Sequence, residues 1–183
     1  MPRFEKLLVL DLDETLVHAR EDVLERPAEH VLFGYHVYER PGVRAFLERA
    51  LERFHVGVWT SSGERYANGV VSLLFGDRSR LRFVLARDRC VQHRDLETFD
   101  TVYLKDIRKL RGFGLAKESI LFVDDSPEKI ARSYGNLVRV RPFEGAPDDD
   151  ELPALSEYLD ELGALPDVRV VEKRGWRRRF TTA

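Results

Sequence analysis

Three short apolar runs, each closed by a polar residue, constrain this chain more than any other feature. Leu7-Leu8-Val9-Leu10 ends at Asp11, Val56-Gly57-Val58-Trp59 at Thr60, and Ile120-Leu121-Phe122-Val123 at Asp124. A strand with one wet face alternates apolar and polar residues. A strand that is apolar throughout is buried on both faces, as in a parallel sheet between two layers. Helical spacing fills the intervals. Pro41 suits a first turn ahead of Val43, Phe46, Leu47, Ala50, Leu51 and Phe54. Tyr66, Ala67, Val70, Val71 and Leu74 share one face of a second helix that stops near Gly76. Ser126-Pro127-Glu128 has the form of an N-cap followed by proline, opening a short helix to Tyr134 and Gly135. Leu137 to Val140 reads as a further strand. Asp148, Asp149, Asp150 and Glu151 put negative charge where a helix N-terminus favours it, before Leu152, Leu155, Leu159 and Leu162. The expectation is an α/β fold: a doubly wound, Rossmann-like parallel sheet with helices on both faces.

Two stretches depart from the alternation. Residues 18–40 hold Val31-Leu32-Phe33-Gly34-Tyr35-His36-Val37-Tyr38, which reads as a β-hairpin flap turning near Gly34. Residues 77–104 are Arg-rich with short β-like pieces, Phe83-Val84-Leu85 and Thr101-Val102-Tyr103-Leu104, and read as a small β insertion. With 183 residues and no repeat or linker, the chain is expected to form one domain over residues 1–171, followed by a basic tail at 172–183.

Charge sharpens that division. The net charge is −2, so no global field drives the chain onto DNA or a membrane, yet residues 172–183 carry +4 and leave the rest at −6. The tail sequence Trp176-Arg177-Arg178-Arg179-Phe180 could neutralise and stack on nucleic acid, or simply pack locally. The single cysteine, Cys90, excludes an internal disulfide and a Cys-based zinc site, and fits a reducing compartment. The four-residue run at Leu7 is too short for a signal-peptide core or a membrane span, so a cytoplasmic location is expected.

In an open parallel sheet, ligands bind outside the carboxyl ends of the strands. That gathers Asp11, Asp13, Thr60, Asp124 and Asp125 around one cleft. Carboxylates so crowded need a cation or protons to relieve their repulsion. Oxygen donors without His or Cys favour a hard ion, Mg²⁺ rather than Zn²⁺.

The same residues carry a family resemblance. Asp11-Leu12-Asp13-Glu14-Thr15-Leu16-Val17-His18 resembles the first motif of the haloacid dehalogenase superfamily, in the form of its small C-terminal-domain phosphatase branch, the NLI-interacting-factor-like proteins. Trp59-Thr60-Ser61-Ser62 resembles the second motif, Tyr103-Leu104-Lys105-Asp106 the third and Val123-Asp124-Asp125-Ser126-Pro127 the fourth. Arg40-Pro41-Gly42-Val43 and Arg87-Asp88-Arg89-Cys90-Val91 are similar to the family as well. The similarity spans roughly residues 4–165, with the motifs in order.

The resemblance implies a phosphomonoesterase working through an aspartyl-phosphate. Asp11 would be the nucleophile. Asp13 would protonate the leaving oxygen and then activate water, its main-chain carbonyl also binding Mg²⁺. Asp11 and Asp125 would supply metal carboxylates, with Asp124 supporting Lys105 or the metal's water. Thr60, Ser61 and Lys105 would bind the phosphoryl group, and Arg87 is a candidate contact for substrate. Each has a plainer reading. Asp after a strand often caps a turn, Thr60 could cap the following helix, Asp125 could anchor the helix at Ser126, and a lone lysine is usually solvated. His18 reads as structural rather than catalytic.

Neither inserted stretch is long enough for the large cap that many phosphatases of this superfamily fold over small metabolites. An open cleft suits a phosphorylated macromolecule, a phosphoprotein Ser/Thr segment ahead of a nucleic-acid end. A catalytically silent binding module of the same fold is the alternative from another class. Specificity transfers less well than chemistry. Glu21 stands where the resembling proteins have an aromatic, Gly63 where they have a leucine, and the segment between His93 and Lys105, with Asp95, Glu97 and Asp100, is longer than theirs.

Overall fold

The computed structural model describes residues 1–94 and 99–180; Asp95 and Glu97 lie outside the described residues. In chain order the elements are β1 (Leu7–Leu10), β2 (Val17–Arg20), β3 (His30–Leu32), β4 (Tyr35–Glu39), α1 (Val43–Arg53), β5 (His55–Trp59), α2 (Glu64–Phe75), β6 (Val84–Leu85), β7 (Val91–Arg94), β8 (Thr101–Leu104), β9 (Ile120–Asp124), β10 (Leu137–Arg139) and α3 (Glu151–Gly163).

The three apolar runs are neighbouring strands at the centre of a five-stranded parallel sheet in the order β10-β9-β1-β5-β6. The chain starts in the middle, winds outward to one edge and returns to build the other. This is the doubly wound order, with its switch point beside β1. Side chains of a strand alternate between faces. Leu8, Leu10, Val56, Val58, Leu121 and Val123 therefore join the core packed under α1, α2 and α3. Leu7, Val9, Trp59, Ile120 and Phe122 join a second core on the opposite face with Leu110 and Ile130.

That second face carries helices too, as expected, but of a different type. It is covered by 3₁₀ segments at Ile107–Phe113 and Pro127–Asn136, not by α-helices. The latter kinks at Ser133, and the former ends in left-handed Gly114. Ser126 does not cap the second segment with its side chain. Its hydroxyl donates instead to Asp125 Oδ2, 2.9 Å away.

The flap is a three-stranded antiparallel sheet, β2-β4-β3. Leu32 pairs with Tyr35, leaving Phe33 and Gly34 as a two-residue turn, both at positive φ (53° and 89°), the signature of a type I′ turn. The flap leans on α2 where Gly69 leaves room. A Cβ there would stand 2.8 Å from Leu32 Cδ2. The 77–104 stretch is divided between two sheets. β6 completes the edge of the main sheet, while β7 and β8 form a separate antiparallel pair.

Residues 172–180 fold back onto the domain. Trp176 is buried, stacks on Tyr158 of α3 at 5.2 Å and 5°, and donates its indole N–H to the Arg139 carbonyl at 2.7 Å. Much of the tail's charge is spent within the protein. Arg177 pairs with Asp150 at 2.5 Å, Arg174 with Glu172 at 2.6 Å and Arg179 with Glu161 at 2.8 Å. Of the two readings the sequence left open for this tail, local packing is the one that residues 172–180 adopt. Among the described residues, no helix is long and apolar enough to cross a membrane.

Candidate active site

The parallel register aligns the strand ends, so the residues that follow β1, β5 and β9 meet at one rim of the sheet. Asp11 is fixed first by its backbone, whose N–H donates to the Val123 carbonyl at 3.0 Å. Thr60 is fixed likewise by the Leu85 carbonyl at 3.0 Å, so the short edge strand β6 sets its height. Lys105 follows β8 and is held by its backbone N–H to the Lys129 carbonyl at 2.8 Å. All three side chains are buried.

Asp11 receives three donors. The Leu12 N–H donates to Oδ1 at 2.8 Å, Lys105 Nζ lies 3.0 Å from Oδ1, and Lys129 Nζ donates to Oδ2 at 3.2 Å. Burial alone would push this carboxyl up, but the two ammonium groups and the backbone N–H together hold it below the usual range. Asp11 is thus an anion in a dry place. Lys105 also donates to Asp124 Oδ2 at 2.6 Å. It is nearly inaccessible, with 1% of its side chain exposed, which rules out the solvated-lysine reading. Burial opposes its charge, yet Asp11 and Asp124 keep its proton on more firmly than usual.

Asp13 stands in a different environment. Ser62 Oγ donates to its Oδ2 and the Tyr66 hydroxyl to its Oδ1, each at 2.6 Å. Burial nevertheless raises its carboxyl above the ordinary value, with Asp11's charge adding to the rise. The motif therefore places one lowered and one raised carboxyl two residues apart, the division of labour that a nucleophile and a general acid require. Glu14 between Asp13 and Thr15 takes positive φ (59°), and its carboxylate holds His18 Nδ1 at 2.9 Å, a structural role for that histidine.

Carboxylate oxygens of Asp11, Asp124 and Asp125 all lie within 4.8 Å of one another. Asp125 Oδ1 is buried without a hydrogen-bond partner, and burial together with Asp11 pushes Asp124 up to about 7. A buried oxygen without a donor, beside a carboxyl reluctant to ionise, suits a cation, and an all-oxygen donor set fits a hard divalent ion. Asp124, expected to hold Lys105 or the metal's water, bonds Lys105 and also stands within this trio. Asp13, expected to offer a metal only its main-chain carbonyl, has its carboxylate taken by Ser62 and Tyr66.

Thr60 Oγ1 accepts the Ser62 N–H at 3.0 Å, so it orders the 60–62 loop rather than capping α2, whose N-cap is Gly63. Arg87 secures the same loop from outside. Its N–H donates to the Ser62 carbonyl at 3.0 Å and its Nε to the Ser61 carbonyl at 2.7 Å, with the guanidinium over the Tyr103 ring at 5.1 Å. Asp106 turns away to Arg108 and Arg132. Lys129, Tyr66 and Ser62 were not singled out from the sequence as site residues. A faint signal existed for Lys129: lysine is scarce here, six against 24 arginines, and this one follows Asp125 by four residues.

Comparison with known proteins agrees with this geometry. Residues 6–169 match the family described as NLI interacting factor-like phosphatase. A probable C-terminal domain small phosphatase of Dictyostelium discoideum is 33% identical over 91% of this chain and 53% of its own length. The CTD nuclear envelope phosphatase 1 of Xenopus tropicalis is 31% identical over 92% of this chain and 72% of its own. Others are longer: the chain spans only 28% of CTD small phosphatase-like protein 2 of Dictyostelium discoideum. The solved structure of Fcp1, an essential RNA polymerase II CTD phosphatase, superposes with a TM-score of 0.68 over 87% of this chain and 62% of that one. At 18% identity that likeness shows the fold alone. On the match across residues 6–169, the chain belongs to the NLI interacting factor-like phosphatase family.

Proposed function

We propose that this protein hydrolyses phosphate monoesters on a phosphoprotein, through a phosphorylated Asp11. The observation that carries the reading is the contrast between two neighbouring carboxyls, Asp11 lowered by Lys105 and Lys129 and Asp13 raised by burial. A carboxylate oxygen of Asp11 attacks phosphorus in line while the ester P–O bond breaks. Asp13 gives its proton to the departing oxygen. The Asp13 carboxylate then takes a proton from water, whose oxygen attacks phosphorus, and the Asp11–phosphorus bond breaks to release inorganic phosphate.

Lys105 offsets charge on Asp11 and on the phosphoryl oxygens, and Lys129 adds a second cation on the same carboxylate. The hydrogen bonds from Ser62 and Tyr66 aim the Asp13 carboxyl. Thr60 and Ser61, on the loop ordered by Arg87, supply donors for the phosphate. Asp11, Asp124 and Asp125 would hold Mg²⁺, with the Asp13 carbonyl as a further ligand; when bound it would neutralise phosphoryl charge. Among the described residues no large cap stands over the cleft, which favours a substrate that covers it itself, and the single buried thiol of Cys90 suits a reducing compartment such as the cytoplasm.

The test is hydrolysis of an aryl phosphate by the full chain. Turnover is expected with Mg²⁺ and abolished by chelation, and Asp11→Asn is expected to be inactive yet folded by circular dichroism. Undiminished turnover in Asp11→Asn would falsify the mechanism.

A further inference from the structure

A cavity of about 920 Å³ lies next to the carboxylate cleft. Its walls are the end of β10 and the returning segment 169–177. Arg139 joins the two places. It pairs in register with Asp124, and its Nε donates to the Asp125 carbonyl at 3.3 Å, while its side chain lines the cavity.

Among the described residues, two cations in this wall make no ion pair, although Glu172 and Asp167 lie near enough to favour the charge of Lys173. Lys173 is buried, 7% exposed, and its ammonium donates only to the carbonyls of Gly135 at 2.8 Å and Val171 at 3.1 Å. Among the described residues, neither Lys173 nor Arg139 forms an ion pair with a carboxylate. A buried charge is ordinarily paired, because desolvation costs several kcal/mol that carbonyl dipoles only partly offset. Burial accordingly loosens the Lys173 proton. A third cation, Arg169, is held only loosely, 3.8 Å from Glu118. The segment is not an accidental wall. Trp176 pins it to β10 and α3, and all of it but Arg169 lies beyond the family match, which ends at residue 169.

We propose that this cavity is a subsite for an anionic side chain, an acidic or phosphorylated residue of the same polypeptide whose scissile phosphate sits at Asp11. The inference rests on the phosphatase reading for its second half only. The cavity fits a peptide better than a nucleic acid. Arg141, Arg174 and Arg177 in its wall are already committed to Asp150, Glu151 and Glu172, so too few cations remain to follow a phosphodiester backbone. Exposed Val170 and half-exposed Tyr134 offer the apolar contact that a side chain's neighbours would use.

The experiment measures calorimetric affinity of full-length Asp11→Asn for phosphoserine peptides. A second phosphoserine or a glutamate is placed two to six residues to either side and compared with alanine there. At one spacing the second anion is expected to tighten binding about tenfold. That gain should vanish in Lys173→Met and in Arg169→Ala, a surface change that leaves folding untouched. Wild-type turnover of an aryl phosphate, run separately, reports on the phosphatase reading alone, so its failure does not count against the subsite. No gain at any spacing, or an equal gain in both variants, overturns the subsite. A gain shown by a 5′- or 3′-phosphorylated oligonucleotide and by no peptide overturns the peptide assignment.

Discussion

Lys129 sets its ammonium 3.2 Å from Asp11 Oδ2, while Lys105 takes Oδ1 at 3.0 Å, so each oxygen of the proposed nucleophile faces its own cation. Lys105 is sealed, but Lys129 remains 19% exposed and comes from the far side of the Asp124-Asp125 turn. It is therefore the cation that an incoming phosphate can share.

Lys129→Met is expected to lower kcat/KM for an aryl phosphate by about 10²- to 10³-fold, the range seen when one electrostatic stabiliser is removed. Lys129→Arg should recover part of the loss. Steady-state kinetics check this, with thermal melting to show that the fold persists. A variant within twofold of wild type would assign Lys129 to the surface instead.

Asp13→Asn should slow turnover by about 10²- to 10⁴-fold while leaving Asp11 able to attack. With a good leaving group the first step needs no proton, so phosphorylated protein should accumulate and be visible by intact mass. Tyr66→Phe removes only the 2.6 Å donor to Asp13 and should raise that carboxyl further, moving upward the alkaline limb of the kcat/KM profile for an alkyl phosphate, whose leaving oxygen needs the Asp13 proton.

Arg40 is fully buried and gives two hydrogen bonds to Asp149, at 2.7 and 2.8 Å, and others to the carbonyls of Thr15 and Arg141. It ties the loop after Asp11 to the start of α3. Arg40→Met leaves Asp149 uncompensated and is expected to cost about 3–5 kcal/mol, read from urea denaturation. The pH dependence has a definite sign. Burial raises Asp149, but the bonds from Arg40 outweigh it, so the folded carboxyl lies below its unfolded value. The pair's stabilisation is complete above the unfolded value near ~4 and is lost as pH falls through the folded one. Asp149→Asn should flatten the fall in stability below about pH 4.

Gly69→Val should disturb the flap without touching the carboxylates, since even a Cβ there meets Leu32 Cδ2 at 2.8 Å. Turnover of a phosphopeptide is expected to fall more than turnover of an aryl phosphate, because the smaller substrate needs less of the flap. Equal losses on both would place the effect in the core of α2.

The central strands were legible because burial on both faces leaves no alternative to continuous apolar residues, and the polar residues that end them had to share a rim. The hairpin at Gly34 was legible because a two-residue turn with positive φ has few sequence solutions. Coverage of the second face by 3₁₀ segments was not, since apolar spacing over so few residues does not separate the two helix types. Nor could spacing reveal that Ser126 turns its hydroxyl to Asp125.

By itself, then, the sequence determined the parallel sheet, the order of its motifs and the carboxylates at its edge. These follow from local pattern and from the two-residue period of a strand. Only the tertiary structure decided which cations meet those carboxylates, that Arg40 finds Asp149 across 109 residues, and that the basic tail lies down on α3. The reason is physical: a charge carries no periodicity, so its partner is chosen by the folded surface that desolvates it.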